Sequence, residues 1–303
     1  MALIEVVGMS IAGSESLLSI FLNFFIVVFH MRSLRNGMKL NPSSLIQLAM
    51  GVTNISMRGL MFASAVASLL PINHVMRMYH TIMVIIPFHL YFSYWLIAWL
   101  CANYCVTITN IRHRIFIWMK RSLVSFLPHL LLLSAFVSFT LTLPLIWNLH
   151  IRISKDNSTL GLILPRYKFS VSDLNLMLIS CLCSCLPFLM TIGSLMVTVS
   201  SLFRHIRKMK RNDSGFAPPN PQAHVSAVRT MILFLVLSVT INVAEIVKFM
   251  AMSFFGDSLE LIIWMMVSTF PLAEASIIIQ SSRKMKKMFS QTFCAGRFTG
   301  GDN

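Results

Sequence analysis

Arg58 stands inside a long apolar run, with Asn54 one helical turn before it, and Glu274 stands inside another. A charge at the centre of a bilayer costs about 2.5–3.5 kcal/mol or more unless it is paired. Groups so placed can hold two helices in one arrangement and release them in another. Glu245 and Lys248 are spaced i, i+3 in a further apolar run. They fall on one helix face and can pair with each other. A different chemistry lies at Arg204, His205, Arg207, Lys208, Lys210 and Arg211, a basic amphipathic turn that ends an apolar helix. Asn212 to Pro221 then breaks the helix with glycine and prolines, and a second helix starts near Gln222 and carries His224. A short, positively charged loop between two membrane helices is a docking surface for an intracellular partner.

The elements that must position these groups follow from composition. The 303 residues are 56% hydrophobic and only 12% charged, with a mean hydropathy of +0.75. A soluble domain carries about twice that charged fraction. The runs are long and continuous rather than alternating, so helices, not barrel strands, satisfy the backbone in lipid. The net charge of +15 does not indicate nucleic acid, because the charges cluster in loops of one side. The first run is expected to be retained, since Glu5 and Glu15 stand at its front and its basic residues follow it. Cys101, Cys105, Cys181, Cys183 and Cys185 lie in apolar runs and Cys294 in the tail. They read as small buried hydrophobes, not as a disulfide frame or a metal site. No cofactor is expected.

The expected fold is an all-α membrane protein, a seven-helix bundle forming one domain over 1–303. The spans are about 6–31, 42–68, 78–109, 122–147, 172–203, 222–252 and 258–280, with 281–303 as a cytoplasmic tail. Most lysines and arginines fall in loops 1, 3 and 5 and the tail. By the positive-inside rule that side is cytoplasmic and the N-terminus is outside. Asn157-Ser158-Thr159, an N-glycosylation acceptor, falls in loop 4, on the outer side of this topology. The expected location is the plasma membrane, crossed several times, with membrane lipids as partners. A transporter or channel would show internal repeats, and none is found. A membrane enzyme would need acids and histidines at one depth, whereas His89, His129, Glu245 and Glu274 are scattered. Seven spans with basic inner loops are the arrangement of a G-protein-coupled receptor.

Several blocks of the chain are those of one receptor family. Ser201-Leu202, Arg204-His205, Met209, Gly215, Pro218, Ala223-His224-Val225, Ala227 and Thr230 run through the loop between helices 5 and 6. Asn23-Phe24-Phe25-Ile26 lies in helix 1 and Leu48-Ala49 in helix 2. Tyr104, Ile108, Asn110, Ile115-Phe116, Lys120 and Arg121 follow helix 3, Pro187-Phe188 lies in helix 5, and Ile278-Ile279, Ser282, Lys284 and Met285 close helix 7. In order and spacing these resemble the bitter taste receptors (taste receptor type 2), over most of the chain. Vomeronasal type 1 receptors share the build and are the nearest competing label. Three positions depart from the pattern. The family's helix 2 arginine falls on Asn54, its helix 3 lysine on Thr107, and its helix 7 His-Ser on Glu274-Ala275. These positions belong to the family's inactive-state hydrogen-bonding network, so either that network is rewired here or the match at these positions is distant.

The resemblance implies a receptor, not an enzyme, that senses small bitter organic compounds and activates a heterotrimeric, gustducin-like G protein. It implies a ligand cavity between helices 3, 5, 6 and 7 near the outer surface. Ile86, His89, Leu90 and Tyr91 of helix 3 and Glu260, Trp264 and Met265 of helix 7 are its candidates. Glu245 and Lys248 are either a polar anchor in that cavity or a self-satisfied structural pair. Tyr104, Arg204, His205, Arg207, Lys208 and His224 are assigned to the G-protein contact. Helices 2 and 7 are neighbours in this fold, so Glu274 is expected to meet Asn54 or Arg58 and to bias the resting state. The alternative is that Arg58 snorkels and Glu274 is protonated.

Overall fold

A computed structural model describes the backbone of residues 2–67, 72–109, 114–144, 150–154, 166–170, 174–211, 222–254 and 257–294, and the side chains of 10, 13–63, 85–109, 125–144, 183–204, 225–247 and 266–292. The helices are α1 (Ala2–Arg35), α2 (Pro42–Ala67), α3 (Ile72–Ile108), α4 (Arg114–Thr142), α5 (Leu174–Arg211), α6 (Gln222–Phe254), α7 (Asp257–Ser281) and α8 (Arg283–Cys294). The first seven form an all-helical membrane bundle. Among the described residues five segments are long and apolar enough to cross a bilayer: Gly13–Arg35, Ile85–Ile108, Ser125–Thr142, Cys183–Arg204 and Val225–Val247. α2 is less apolar because it carries Gln47, Asn54 and Arg58.

The basic residues flanking the spans continue the helices rather than ending them. α4 starts at Arg114, ahead of the expected Ser122, and α5 runs on to Arg211, beyond the expected Phe203. The connection from α4 to α5 holds an antiparallel hairpin, β1 (His150–Ser154) paired with β2 (Arg166–Ser170) in the register His150 to Ser170. The apolar run lengths predict only a loop here. Yet His-Ile-Arg-Ile-Ser and Arg-Tyr-Lys-Phe-Ser alternate polar and apolar residues, the period of a strand.

Local chemistry sets the ends. Gly37, with φ +72°, closes α1: its N–H bonds the Leu34 carbonyl at 3.0 Å and the Met38 N–H bonds the Ser33 carbonyl at 3.1 Å. That is the paired pattern of a Schellman cap, which needs a left-handed residue. Pro42, without an N–H to lose, opens α2 after Asn41, whose carbonyl takes the Leu45 N–H. Ser282 breaks α7 from α8 and caps the new helix, its Oγ accepting the Met285 N–H at 3.3 Å. The apolar face of α8 turns inward, with Met285 buried and Phe289 edge-on to Phe25 at 5.3 Å.

α3 is the axis of the bundle, packed against α2, α4, α5 and α6. Leu96, Ile97, Ala98, Leu100 and Cys101 are all fully buried. A helix buried all round must be apolar all round. α1 packs on α2 and α7, and α6 on α5 and α7. Lipid-facing positions are large and apolar, as at Leu132 and Phe136 of α4 and Leu189 and Met196 of α5. Among the described residues Cys101, Cys105, Cys183 and Cys185 are free thiols, and no cluster of three or more His, Cys, Asp or Glu could hold a metal.

Candidate functional site

The described polar side chains gather in two layers around α2. The larger lies where α1, α2 and α7 meet. Gly51 brings the first two helices together there: a Cβ at this position would lie 3.0 Å from Val27 Cγ2 and 3.3 Å from the Asn23 carbonyl. That approach lets Asn54, one turn on, reach across. Its Nδ2 donates to Asn23 Oδ1 at 3.0 Å and to Glu274 Oε2 at 2.8 Å. Asn23 Nδ2 in turn donates to the Ser19 carbonyl at 2.8 Å and the Pro271 carbonyl at 3.2 Å. Asn23, Asn54 and Glu274 are all completely buried.

Arg58, one turn further along α2 and 2% exposed, takes different partners. Its Nη1 donates to Ser16 Oγ at 3.1 Å and its Nη2 to the Ser268 carbonyl. Ser268 Oγ donates to Glu15 Oε2 at 3.3 Å, and Glu15 lies within electrostatic reach of Arg58. Both side-chain donors that reach the α7 backbone land within one turn of Pro271. Proline has no N–H for the carbonyl four residues back and loosens this turn. Of the two partners the sequence allowed for Glu274, the structure therefore joins it to Asn54.

The second layer joins α1, α2, α3 and α7. Gln47 Nε2 donates to the Tyr104 hydroxyl at 3.4 Å. His30 lies within electrostatic reach of the Gln47 side chain, and Ser281 within reach of the Tyr104 hydroxyl. Tyr104, assigned by sequence to the partner contact, is thus held between helices.

The remaining candidates are dispersed. On α3 Ile86 is half-buried, while Leu90 and Tyr91 are buried in the core. His89 ties α3 to α2, its Nε2 3.0 Å from Ser56 Oγ and its Nδ1 2.9 Å from the Ile85 carbonyl. Trp99 ties α3 to α4 by donating to Ser134 Oγ at 2.9 Å. Glu245 is half-buried on α6 and Arg204 exposed on α5. Lys248, Glu260, Trp264, His205, Arg207, Lys208 and His224 lie on described helix backbone but outside the described side chains, and Asn157 lies outside the described residues.

Tyr94 is a further buried polar residue of α3. It is 3% exposed, and its ring lies 6.4 Å from Tyr91 and 6.0 Å from Phe270. Its hydroxyl has no hydrogen-bond partner, and it lies within electrostatic reach of Glu245 and Glu274. The available signal was its place three residues after Tyr91, on the same face of α3. Gln47 and Ser268 carry no such signal, being single neutral polar residues in apolar runs.

The family model for taste receptor protein (TAS2R) matches residues 1–297. The chain belongs to the taste receptor type 2 family. This decides between that family and the vomeronasal type 1 receptors of the same build. Taste receptor type 2 member 4 of Homo sapiens is 30% identical over 237 residues, covering 76% of this chain and 77% of its own length. The Gorilla gorilla gorilla member 4 matches to the same extent. Member 40 of Gallus gallus is 28% identical over 203 residues, covering 66% of this chain and 65% of its own length. Taste receptor type 2 proteins are receptors, not enzymes, and with its apolar helices this one is a multi-pass protein of the plasma membrane.

Proposed function

We propose that this taste receptor type 2 protein binds small bitter organic compounds from outside the cell and activates a heterotrimeric, gustducin-like G protein inside. The observation that carries the reading is the polar junction itself: a buried acid of α7 held by an amide of α2, in a bundle of this receptor family. Such a junction is a two-state element. A ligand shifts it only by its differential affinity for the two arrangements.

In this reading the N-terminus is outside, Asn157 is glycosylated, and 1–303 is one receptor domain. The ligand sits among α3, α5, α6 and α7, with Ile86, His89, Leu90, Tyr91, Glu245, Lys248, Glu260 and Trp264 as its contacts. A largely apolar cavity with a few polar groups suits small organic molecules. Asn54, Arg58 and Glu274 set the resting state. Arg204, His205, Arg207, Lys208 and His224 meet the G protein, and Tyr104 joins them when the second polar layer opens.

The test is calcium release in cells that express this chain with a promiscuous G protein, screened with bitter alkaloids and terpenoids. A saturable response is expected, lost when Arg204, Arg207 and Lys208 are neutralised while surface expression persists. A response that survives that neutralisation would remove the basic turn from the coupling surface. Silence from a well-expressed, surface-labelled protein across the panel would count against a bitter ligand.

A further inference from the structure

The hairpin between α4 and α5 carries charge that the membrane topology does not explain. Positions two apart on a strand share a face. With His150 opposite Ser170, Arg152 opposite Lys168 and Ser154 opposite Arg166, these six positions make one face of the hairpin. Ile151, Ile153, Tyr167 and Phe169 make the other. Arg152 and Lys168 are thus like charges placed directly opposite each other, an arrangement that destabilises a strand pair. Arg166 stands on the same face, two positions from Lys168 and about 7 Å along the strand. The ten strand residues include no acid. From His150 to Ser170 the sequence holds Arg152, Lys155, Arg166 and Lys168 against Asp156 alone.

Neither ordinary use of surface charge accounts for this. The positive-inside rule gathers lysine and arginine in cytoplasmic loops, and this connection lies at the opposite end of α4 from Arg114 and its basic loop. Charges on exposed strands deter edge-to-edge pairing, but acids or mixed signs would do so without setting Arg152 against Lys168. An anion on the face turns that repulsion into a shared attraction. Guanidinium and ammonium groups both take carboxylate or sulfonate oxygens by charge-assisted hydrogen bonds. β2 ends at Ser170 and α5 starts at Leu174, so the face is tethered within about 14 Å of the end of α5. The cations cover one cross-strand pair and its neighbour, which suits a single anionic group. A polyanion would need a longer row.

We propose that the polar face of the hairpin, at Arg152, Arg166 and Lys168, is an anion-recognition site, and that the compounds this receptor takes best are small carboxylates or sulfonates with an apolar body. The inference rests on the reading above, in which the chain is a receptor for small organic compounds with this loop outside and α5 lining the cavity, and it names their charge. The face captures the anion and raises its concentration at the cavity mouth.

The test is binding of naphthalene-2-sulfonate to the purified full-length receptor in neutral detergent, followed by saturation-transfer NMR, with the uncharged naphthalene-2-sulfonamide as control. Saturable sulfonate binding is expected, about tenfold or more tighter than that of the sulfonamide and weakening as salt rises from about 0.05 to 0.5 M. Arg152→Glu is the decisive variant. It sets an acid opposite Lys168, so the hairpin gains an opposite-charge pair and the melting temperature should not fall. Sulfonate affinity should nevertheless drop about tenfold or more. Arg166→Gln, expected to bind about threefold more weakly, decides the matter if Arg152→Glu does not reach the membrane. Equal affinity for the two probes overturns the site, as does sulfonate binding unchanged in both variants. So does retention on heparin without sulfonate binding, since the face would then serve a polyanion. Calcium release separates the site from the reading on which it rests. Acid agonists should outrank their methyl esters, and Arg152→Glu should erase the difference. Sulfonate binding to a receptor silent to every compound keeps the site and removes the bitter reading. A response that ignores both ligand charge and Arg152→Glu keeps the reading and removes the site.

Discussion

The seam of α1, α2 and α7 and the outward faces of α4 and α5 are held by different forces. At the seam Asn23, Asn54 and Glu274 are completely buried and bonded across three helices. On α4 and α5 the side chains are apolar and open to lipid, with Leu132 70% and Met196 65% exposed. In water those faces would be driven together. In a bilayer the lipid tails are as apolar as leucine, so that force is absent and packing and hydrogen bonds select the neighbours. The seam is therefore where helix identity is specified. α5 is the least buried of the five described segments long and apolar enough to cross a bilayer, and it carries Arg204 at its end.

The sharpest way to break this contrast is Asn54→Leu. It leaves Asn23 Oδ1 and Glu274 Oε2 without their donor, at about 1–3 kcal/mol for each stranded group. Surface expression should collapse; near-normal surface labelling would show that the seam is not what specifies the bundle. Arg58→Met comes next. It removes the charged donor from the Ser268 carbonyl and leaves Glu15 without its cation, and should cost about 2 kcal/mol, read as thermal loss of monodispersity in detergent. Arg58→Lys should recover only part of that loss, since an ammonium cannot fork to Ser16 and Ser268 together. His89→Ala removes the bond to Ser56 and should cost about 1 kcal/mol. If agonist potency moves by more than stability accounts for, His89 also lines the ligand cavity. If potency and stability fall together, it is only a tie. Leu132→Ala and Met196→Ala should lie within about 0.5 kcal/mol of the wild type, since they exchange lipid for lipid. Larger losses there would mean that α4 or α5 meets a partner in the membrane.

The family and the class of fold were legible from composition, run lengths, basic loops and the motif blocks. The caps at Gly37, Pro42 and Ser282 were open to reading as well, because caps are local. The polar junction was half legible. Arg58 and Glu274 announce themselves as charges in apolar runs, but nothing in the spacing of residues 220 positions apart chooses between Asn54 and Arg58 as the partner of Glu274. Asn23 was visible only as part of a motif, and the tie from Gln47 to Tyr104 not at all. The hairpin after α4 was written in a strand period over only five residues per strand, too short to outweigh the helical runs around it.

By itself, the sequence determined that this chain must cross a membrane as helices, since only helices satisfy the backbone over such long apolar runs. It determined which side groups would be expensive there. Which of them meet was decided by the tertiary structure: the close approach at Gly51, the loosened turn at Pro271, and the one-turn offset between Asn54 and Arg58. Hydrogen bonds act over a few ångströms, and only packing brings the side chains of three separate helices within that range.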